Sequence, residues 1–254
     1  MKIKNICSKI IENEKIGKDV YRITFSDKYL SENLTAGQFV NVCCDKTLRR
    51  PLSIADVDSE HHIISLIYQI RGEGTQILSK KQKGDIIDVV GPLGNGFDVS
   101  NEKKVLIVGG GIGSIPLLYL SRQLNDADVA LGFKSKSDVI LEKEFKLFSK
   151  NVKIATDDGS YGYHGYVSAL AKEMIEKTEY DCIYACGPII MMKLVKTIAE
   201  ENNLPVYLSL EERMACGIGA CDGCVVETED NGKTEYKKVC SDGPVFDGKK
   251  VVLK

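Results

Sequence analysis

From residue 103 to residue 210 the chain keeps one rhythm, a short apolar run followed by a helical stretch. KKVLIVG is almost wholly apolar, as a strand buried on both faces requires, and GIGSIPLLYLSRQL follows it with helical spacing. The alternation continues through DVALGF, helical VILEKEFKLFS, NVKIAT, helical VSALAKEMIEK, YDCIYACG and helical IIMMKLVKTIAEEN, and PVYLSL at 205–210 supplies a last strand. Such alternation specifies a parallel sheet covered by helices on both faces.

The residues before and after follow different rules. DVYRITF, GQFVNVCC, RPLSIADV, HIISLIYQI and DIIDVVGPLG are short Val- and Ile-rich runs separated by turn residues, the pattern of an antiparallel barrel. A short helix is expected after Gly74, where TQILSKKQK has a Thr cap and apolar spacing. Residues 211–254 hold four of the nine cysteines and form too small a unit to fold on an apolar core alone, so a metal or a partner is expected there. The fold class is therefore a β barrel plus α/β, with expected domains at 1–100, 101–210 and 211–254. No internal repeat or low-complexity tract interrupts this division.

Charge and composition exclude some classes of function. Lys plus Arg total 34 against 36 Asp plus Glu, a net charge of −2, which provides no general attraction for nucleic acid or an anionic membrane. The opening MKIKNICSKIIENEKIGKDVYRITF has no apolar core of a signal peptide, and no stretch approaches 18 uninterrupted apolar residues. The expected location is cytoplasmic, where thiols stay reduced and clustered cysteines bind metal or do redox chemistry more often than they form disulfides.

The cluster in question is Cys216, Cys221, Cys224 and Cys240, a C-x4-C-x2-C run with a fourth thiol after fifteen intervening residues. That spacing belongs to plant-type [2Fe-2S] centres. In ACGIGACDGC, Gly217, Gly219 and Gly223 permit the tight turns that aim N–H groups at the sulfurs. Zinc is the alternative, although zinc ribbons present two CxxC knuckles and only Cys221 and Cys224 make one here.

Two further constellations fall at strand ends. VGGGIGSIP places Gly109, Gly110, Gly111 and Gly113 where a buried strand meets a helix, so that a phosphate can approach the helix N-terminus. Pro116 stands in place of the third glycine of the dinucleotide fingerprint; the alternative, a turn serving only strand-to-helix packing, is disfavoured by its place after the sheet's first strand. YACGP puts Cys186, Gly187 and Pro188 at the carboxyl end of a later strand, facing the same crevice, with Cys186 equally readable as a small buried apolar residue. In RRPLSI, Arg50 suits a pyrophosphate and Ser53 a ring nitrogen or oxygen, while Gly74 and Thr75 of RGEGT offer N–H groups. Cys7, Cys43, Cys44 and Cys182, and His61, His62 and His164, are read as structural.

Taken in order, RPLS, GEGT, GGGIG, CGPxxM and the four-cysteine tail resemble the ferredoxin reductase superfamily across essentially the whole chain. Within it, EERMACGIGACDGCVVE followed by VCSDGPVF resembles the electron transfer subunits of dihydroorotate dehydrogenase B. The resemblance implies FAD at Arg50, Pro51, Leu52, Ser53, Ile67, Tyr68, Gln69, Gly74 and Thr75. It implies NAD at Gly109, Gly110, Gly111, Gly113, Cys186, Gly187 and Pro188, and a [2Fe-2S] cluster on Cys216, Cys221, Cys224 and Cys240. No catalytic residue is assigned. Other flavin reductases often carry an aromatic residue between the Arg and the Ser, where this chain has Pro51 and Leu52, as in this subfamily. Electrons would pass from dihydroorotate to FMN on a separate catalytic subunit, then through the cluster and FAD to NAD+, in a heterotetramer with two of each subunit that serves pyrimidine synthesis. The alternatives are a flavin subunit of a hydrogenase or sulfide dehydrogenase, and a zinc-stapled interaction protein. GFKSKSD carries Lys134 and Lys136 and no acid at its start, so residue chemistry leaves NADP open where the family favours NAD.

Overall fold

The computed structural model describes residues 2–45, 47–99 and 104–254. The expected boundary at residues 100 and 101 lies outside the described residues. In chain order the elements are β1 (Lys4–Gly17), β2 (Val20–Ser26), α1 (Lys28–Asn33), β3 (Phe39–Val42), β4 (Arg50–Asp58), β5 (Ile63–Gln69), α2 (Glu73–Leu78) and β6 (Ile86–Leu93). There follow β7 (Val105–Gly110), α3 (Ile115–Leu124), β8 (Asp128–Phe133), α4 (Glu142–Phe148), β9 (Asn151–Thr156), β10 (Tyr163–His164), α5 (Val167–Lys177), β11 (Cys182–Cys186), α6 (Ile189–Glu201) and β12 (Val206–Ser209). The last are β13 (Val225–Asp230), β14 (Lys233–Lys238) and β15 (Val245–Asp247).

The first six strands close an antiparallel barrel in the order β1-β2-β5-β4-β3-β6. Its interior is filled by Ile10, Ile23, Phe25, Val40, Ile54, Leu66 and Val89, all essentially buried. β1 was not foreseen as a strand, because its register slips between Ile10 and Glu12 and again between Lys15 and Gly17. Each slip inserts an unpaired residue and breaks the two-residue alternation by which a strand is recognised. α1 was also unforeseen; Asp27 caps it by accepting the Leu30 N–H at 2.7 Å.

The second layer is a sheet in the order β10-β9-β8-β7-β11-β12-β15. β7 through β12 pair in parallel, as their apolar runs require, with β7 and β8 buried at every position. PVYLSL supplies the last parallel strand as expected, and β15 adds antiparallel beyond it, Leu208 opposite Phe246. The C-terminal residues thus share a sheet with the central layer, and β13 and β14 form a separate hairpin. Cys182 and Cys44 are buried, and all nine cysteines are free thiols.

The barrel and the sheet are tied by charge as well as packing. Arg122 of α3 grips Asp56 of β4 with Nη1 at 3.0 and 2.9 Å from the two carboxylate oxygens, and Arg22 of β2 reaches Glu144 of α4 at 2.6 Å. The carboxyl ends of β7, β11 and β12 open toward the barrel. Cys186 pairs in register with Gly109 on one side and Ser209 on the other, which brings three strand ends to one level.

Candidate functional site

The residues at the start of β4 and the end of β5 gather along one wall of a cleft between barrel and sheet. Arg50, Pro51, Leu52 and Ser53 open β4, and Ile67, Tyr68 and Gln69 close β5; all seven line the cleft together with Phe39, Arg71 and Thr75. The opposite wall is Ile112, Ile115, Pro116 and Cys186, and the end is Ser209 to Glu212 with Met214. A slot with apolar faces and an arginine at its mouth suits an aromatic ring carrying a phosphate tail.

Individual side chains contribute differently from their first reading. Gly74 does not line the cleft; a Cβ there would sit 2.8 Å from Arg50 Nε, so the glycine seats the guanidinium. Thr75 is not the cap of α2, which begins at Glu73 with Gly72 before it. Its hydroxyl accepts the N–H of Arg71 at 3.0 Å and of Gly72 at 3.3 Å, closing the turn. Tyr68 turns its hydroxyl inward to donate to Asn13 at 3.0 Å, and burial pushes the phenol well above its ordinary value.

Beyond the cleft a second groove is lined by Gly110, Gly111, Gly113, Gly187 and Pro188, with Lys134, Ile189 and Met192. Three of the loop glycines are there for packing. A Cβ on Gly113 would lie 2.6 Å from Gly187 Cα, one on Gly110 2.6 Å from Met191 Sδ, and one on Gly109 2.8 Å from a Leu131 methyl. Gly109 lines neither cavity. Gly111, at φ +54 with open space beside it, is the glycine that faces the groove. Cys186 lines the first cleft instead, and burial beside Glu211 pushes its thiol up, so it stands there protonated.

Sequence reading missed Glu211, which lines both cavities, and its neighbour Ser209. Their position just past the last parallel strand was the available signal, since ligands on such sheets bind at carboxyl ends.

The four cysteines of the tail come together as two pairs. Cys221 Sγ lies 3.3 Å from Cys216 Sγ, and the thiols of Cys224 and Cys240, both buried, lie near enough for Cys224 to help push Cys240 up. Among the described residues no three His, Cys, Asp or Glu side chains converge as one tetrahedral ion requires. Two pairs match the demand of two irons, each taking two thiolates. The Gly219 N–H donates to Cys240 Sγ at 3.2 Å, and backbone N–H groups led by that of Ile218 hold the Cys216 thiol down to about 6. Desolvation pushes Cys240 up to about 11. Gly217 and Gly219 take left-handed angles, φ +68 and +82, that a side chain would strain; Gly223 also sits in a turn but without such an angle. Lys238 fastens the loop, donating to the Gly219 carbonyl at 2.9 Å and pairing with Asp222 at 3.1 Å.

The loop is moored to the barrel by Asn41 of β3, buried, whose Nδ2 donates to the Cys216 carbonyl at 3.3 Å. Two residues along β3, Phe39 lines the first cleft, and two residues before Cys216, Met214 lines it too. The thiol loop and this cleft are therefore neighbours. None of the three histidines lines these cavities; His61 pairs with Asp58 and His62 with Ser31.

Family models match two parts of the chain: the iron-sulfur cluster binding domain of dihydroorotate dehydrogenase B at residues 211–252, and the oxidoreductase FAD-binding domain at residues 8–97. The electron transfer subunit of dihydroorotate dehydrogenase B (NAD(+)) from Geobacillus kaustophilus is 44% identical over 250 residues, covering 94% of this chain and 95% of its own. The chain belongs to the family of dihydroorotate dehydrogenase B electron transfer subunits. The Fusobacterium nucleatum member of that family is 42% identical over 92% of this chain and 93% of its own. Among solved structures, one of an NADH-dependent reduced ferredoxin-NADP oxidoreductase superposes with a TM-score of 0.87 at 34% identity, covering 97% of this chain and 90% of that one. A Neisseria gonorrhoeae ferredoxin NADP+ reductase with bound FAD and NADP shares the fold, with a TM-score of 0.64 at 16% identity over 78% of this chain and 91% of that one. The family membership and the barrel plus α/β architecture expected from the motif order both stand. No helix among the described residues is long and apolar enough to cross a membrane.

Proposed function

We propose that this chain carries electrons from the FMN of a dihydroorotate dehydrogenase catalytic subunit through a [2Fe-2S] cluster and FAD to NAD+, for pyrimidine synthesis. The observation that carries this reading is the shared segment from Leu210 to Cys216, which closes the flavin cleft at one end and begins the cysteine loop at the other. A flavin, when bound, exchanges single electrons with an iron-sulfur centre and two, as hydride, with a nicotinamide.

The chain's own residues prepare each contact. Arg50 supplies a fixed guanidinium for a phosphate, while Pro51, Leu52 and Ile67 present apolar surface to a ring. Ile112, Ile115 and Pro116 narrow the slot and exclude water. The protonated Cys186 in the first cleft, and the carboxylate of Glu211 where the two cavities meet, are able to orient a ring amide and hold a proton beside it. Gly111 leaves the groove floor open to backbone approach. Cys216 with Cys221, and Cys224 with Cys240, would hold one iron each, and N–H groups aimed at the sulfurs favour the anionic thiolates.

The partner is an FMN-bearing subunit in a heterotetramer of two and two, in a reducing compartment, the cytoplasm. Cys221→Ser tests the route. The expected result is loss of the cluster's visible absorbance and of dihydroorotate-driven NAD+ reduction in the complex, with NADH oxidation by ferricyanide retained. Coupled turnover that survives the substitution would remove the cluster from the path.

A further inference from the structure

Between the first cleft and the thiol loop stands one buried polar side chain, Asn41 of β3. It is 2% exposed and sits in register with Pro51 of β4, a residue of the cleft wall. Its amide meets the loop nitrogen first. Nδ2 donates to the Cys216 carbonyl at 3.3 Å, and a Cβ on Gly217 would lie 2.0 Å from that nitrogen but 3.3 Å from Oδ1. Oδ1 is also buried, and it accepts no hydrogen bond from a described residue.

A buried acceptor without a donor costs stability, and such a group persists where its side chain serves something besides packing. Leucine, of nearly the same shape, would fill the position without that cost. What leucine lacks is the donor end of the amide. This end anchors the loop at Cys216, while Lys238, paired with the exposed Asp222, anchors it at the Gly219 carbonyl. Between and at these anchors lie the N–H groups aimed at sulfur: that of Ile218, which holds the Cys216 thiol down, and that of Gly219, which donates to Cys240 Sγ at 3.2 Å. N–H groups and dipoles turned positive end first toward cluster thiolates favour the more negative, reduced state.

We infer that Asn41 is a positioning residue for electron transfer: through the Cys216 carbonyl it fixes the N–H groups against the thiolates, and it turns the positive end of its own amide toward them, so that the loop favours the reduced state of a [2Fe-2S] centre. The step it tunes is the arrival of one electron from the donor subunit and its departure to the flavin, with no bond made or broken at Asn41. The inference rests on the reading of the four thiols as a [2Fe-2S] site.

The test is a redox titration of the full chain carrying flavin and cluster, following the cluster by electron paramagnetic resonance and the flavin by its visible spectrum. Asn41→Leu and the smaller Asn41→Ser should each lower the cluster's midpoint by about 59 mV, about tenfold in the one-electron equilibrium constant, and leave the flavin's midpoint where it was. Iron and sulfide assays check that the variants keep their cluster. An unchanged cluster midpoint in loaded variants would overturn the inference. So would an equal fall in both midpoints, which would mean only that the wall between the two sites had loosened. Loss of the cluster from both variants would reduce Asn41 to a structural support and overturn it as well. A wild-type chain that took up no iron and sulfide would bring down the reading of the loop first, and this inference with it.

Discussion

Gly113→Ala puts a methyl group where the ends of β7 and β11 touch. The new Cβ would lie 2.6 Å from Gly187 Cα, 2.7 Å from Gly187 N and 2.8 Å from the Cys186 carbonyl carbon. All three neighbours are backbone, so no side chain can swing aside. Comfortable carbon contacts start near about 3.5 Å, so the two loops must part by roughly 0.9 Å. Overpacking of this kind costs roughly 1–3 kcal/mol, and each kcal/mol lowers the melting temperature of a chain this size by about 3 °C. The same displacement moves Gly187 and Pro188 away from the groove, and about 1 Å of misplacement at a reacting centre costs on the order of a hundredfold in rate. The assay is NADH oxidation by ferricyanide alongside thermal unfolding, with flavin and cluster absorbance as checks on loading. We expect kcat/KM for NADH to fall between about tenfold and a hundredfold while both chromophores remain. Gly232→Ala is the contrast: at φ +74 with no neighbour within 4 Å, it would suffer local strain of about 1 kcal/mol and leave NADH kinetics unaltered. Wild-type NADH kinetics and melting in Gly113→Ala would refute the claim that these glycines exist to let two strand ends meet.

Two further outcomes follow from charge. In the metal-free chain the Cys216 thiol is held down to about 6 by backbone N–H groups, against an ordinary value of 9.0. A depressed acid contributes stability that is present above the unfolded value and lost as pH falls through the folded one. The apo chain should therefore lose this contribution between about pH 9 and pH 6. At pH 7.5 iodoacetamide should label Cys216 well before Cys240, and equal rates measured by peptide mapping would contradict the proposed N–H cradle. Separately, Asp56→Ala and Arg122→Ala, combined in a double-mutant cycle under urea, should reveal a coupling of about 1 kcal/mol across the layers. A coupling of zero would mean that apolar packing alone holds the barrel to the sheet.

The expectations from sequence succeeded where the physics is local. An apolar run such as KKVLIVG declares a doubly buried strand by itself, and the cysteine spacing declares its chemistry because a short loop must deliver all but one of the thiols. They failed where pairing is non-local. β1 is obscured by bulges that only its partner strands reveal, and β15 joins the sheet because β12 offers an open edge, a fact absent from VFD as a string.

The site divides along the same line. The sequence by itself determined which chemistries are present: a guanidinium before a Pro and Ser, a glycine-rich turn, four thiols. Only the tertiary structure decided which residues share a cavity. It sets Glu211 between two clefts and moors the Cys216 loop to Asn41 of the barrel. It also shows Gly113 to be a packing residue and Gly111 to be the open one. The physical reason is that periodicity and turn preference act over a few residues, whereas the contents of a cleft depend on strand order, which long-range burial selects.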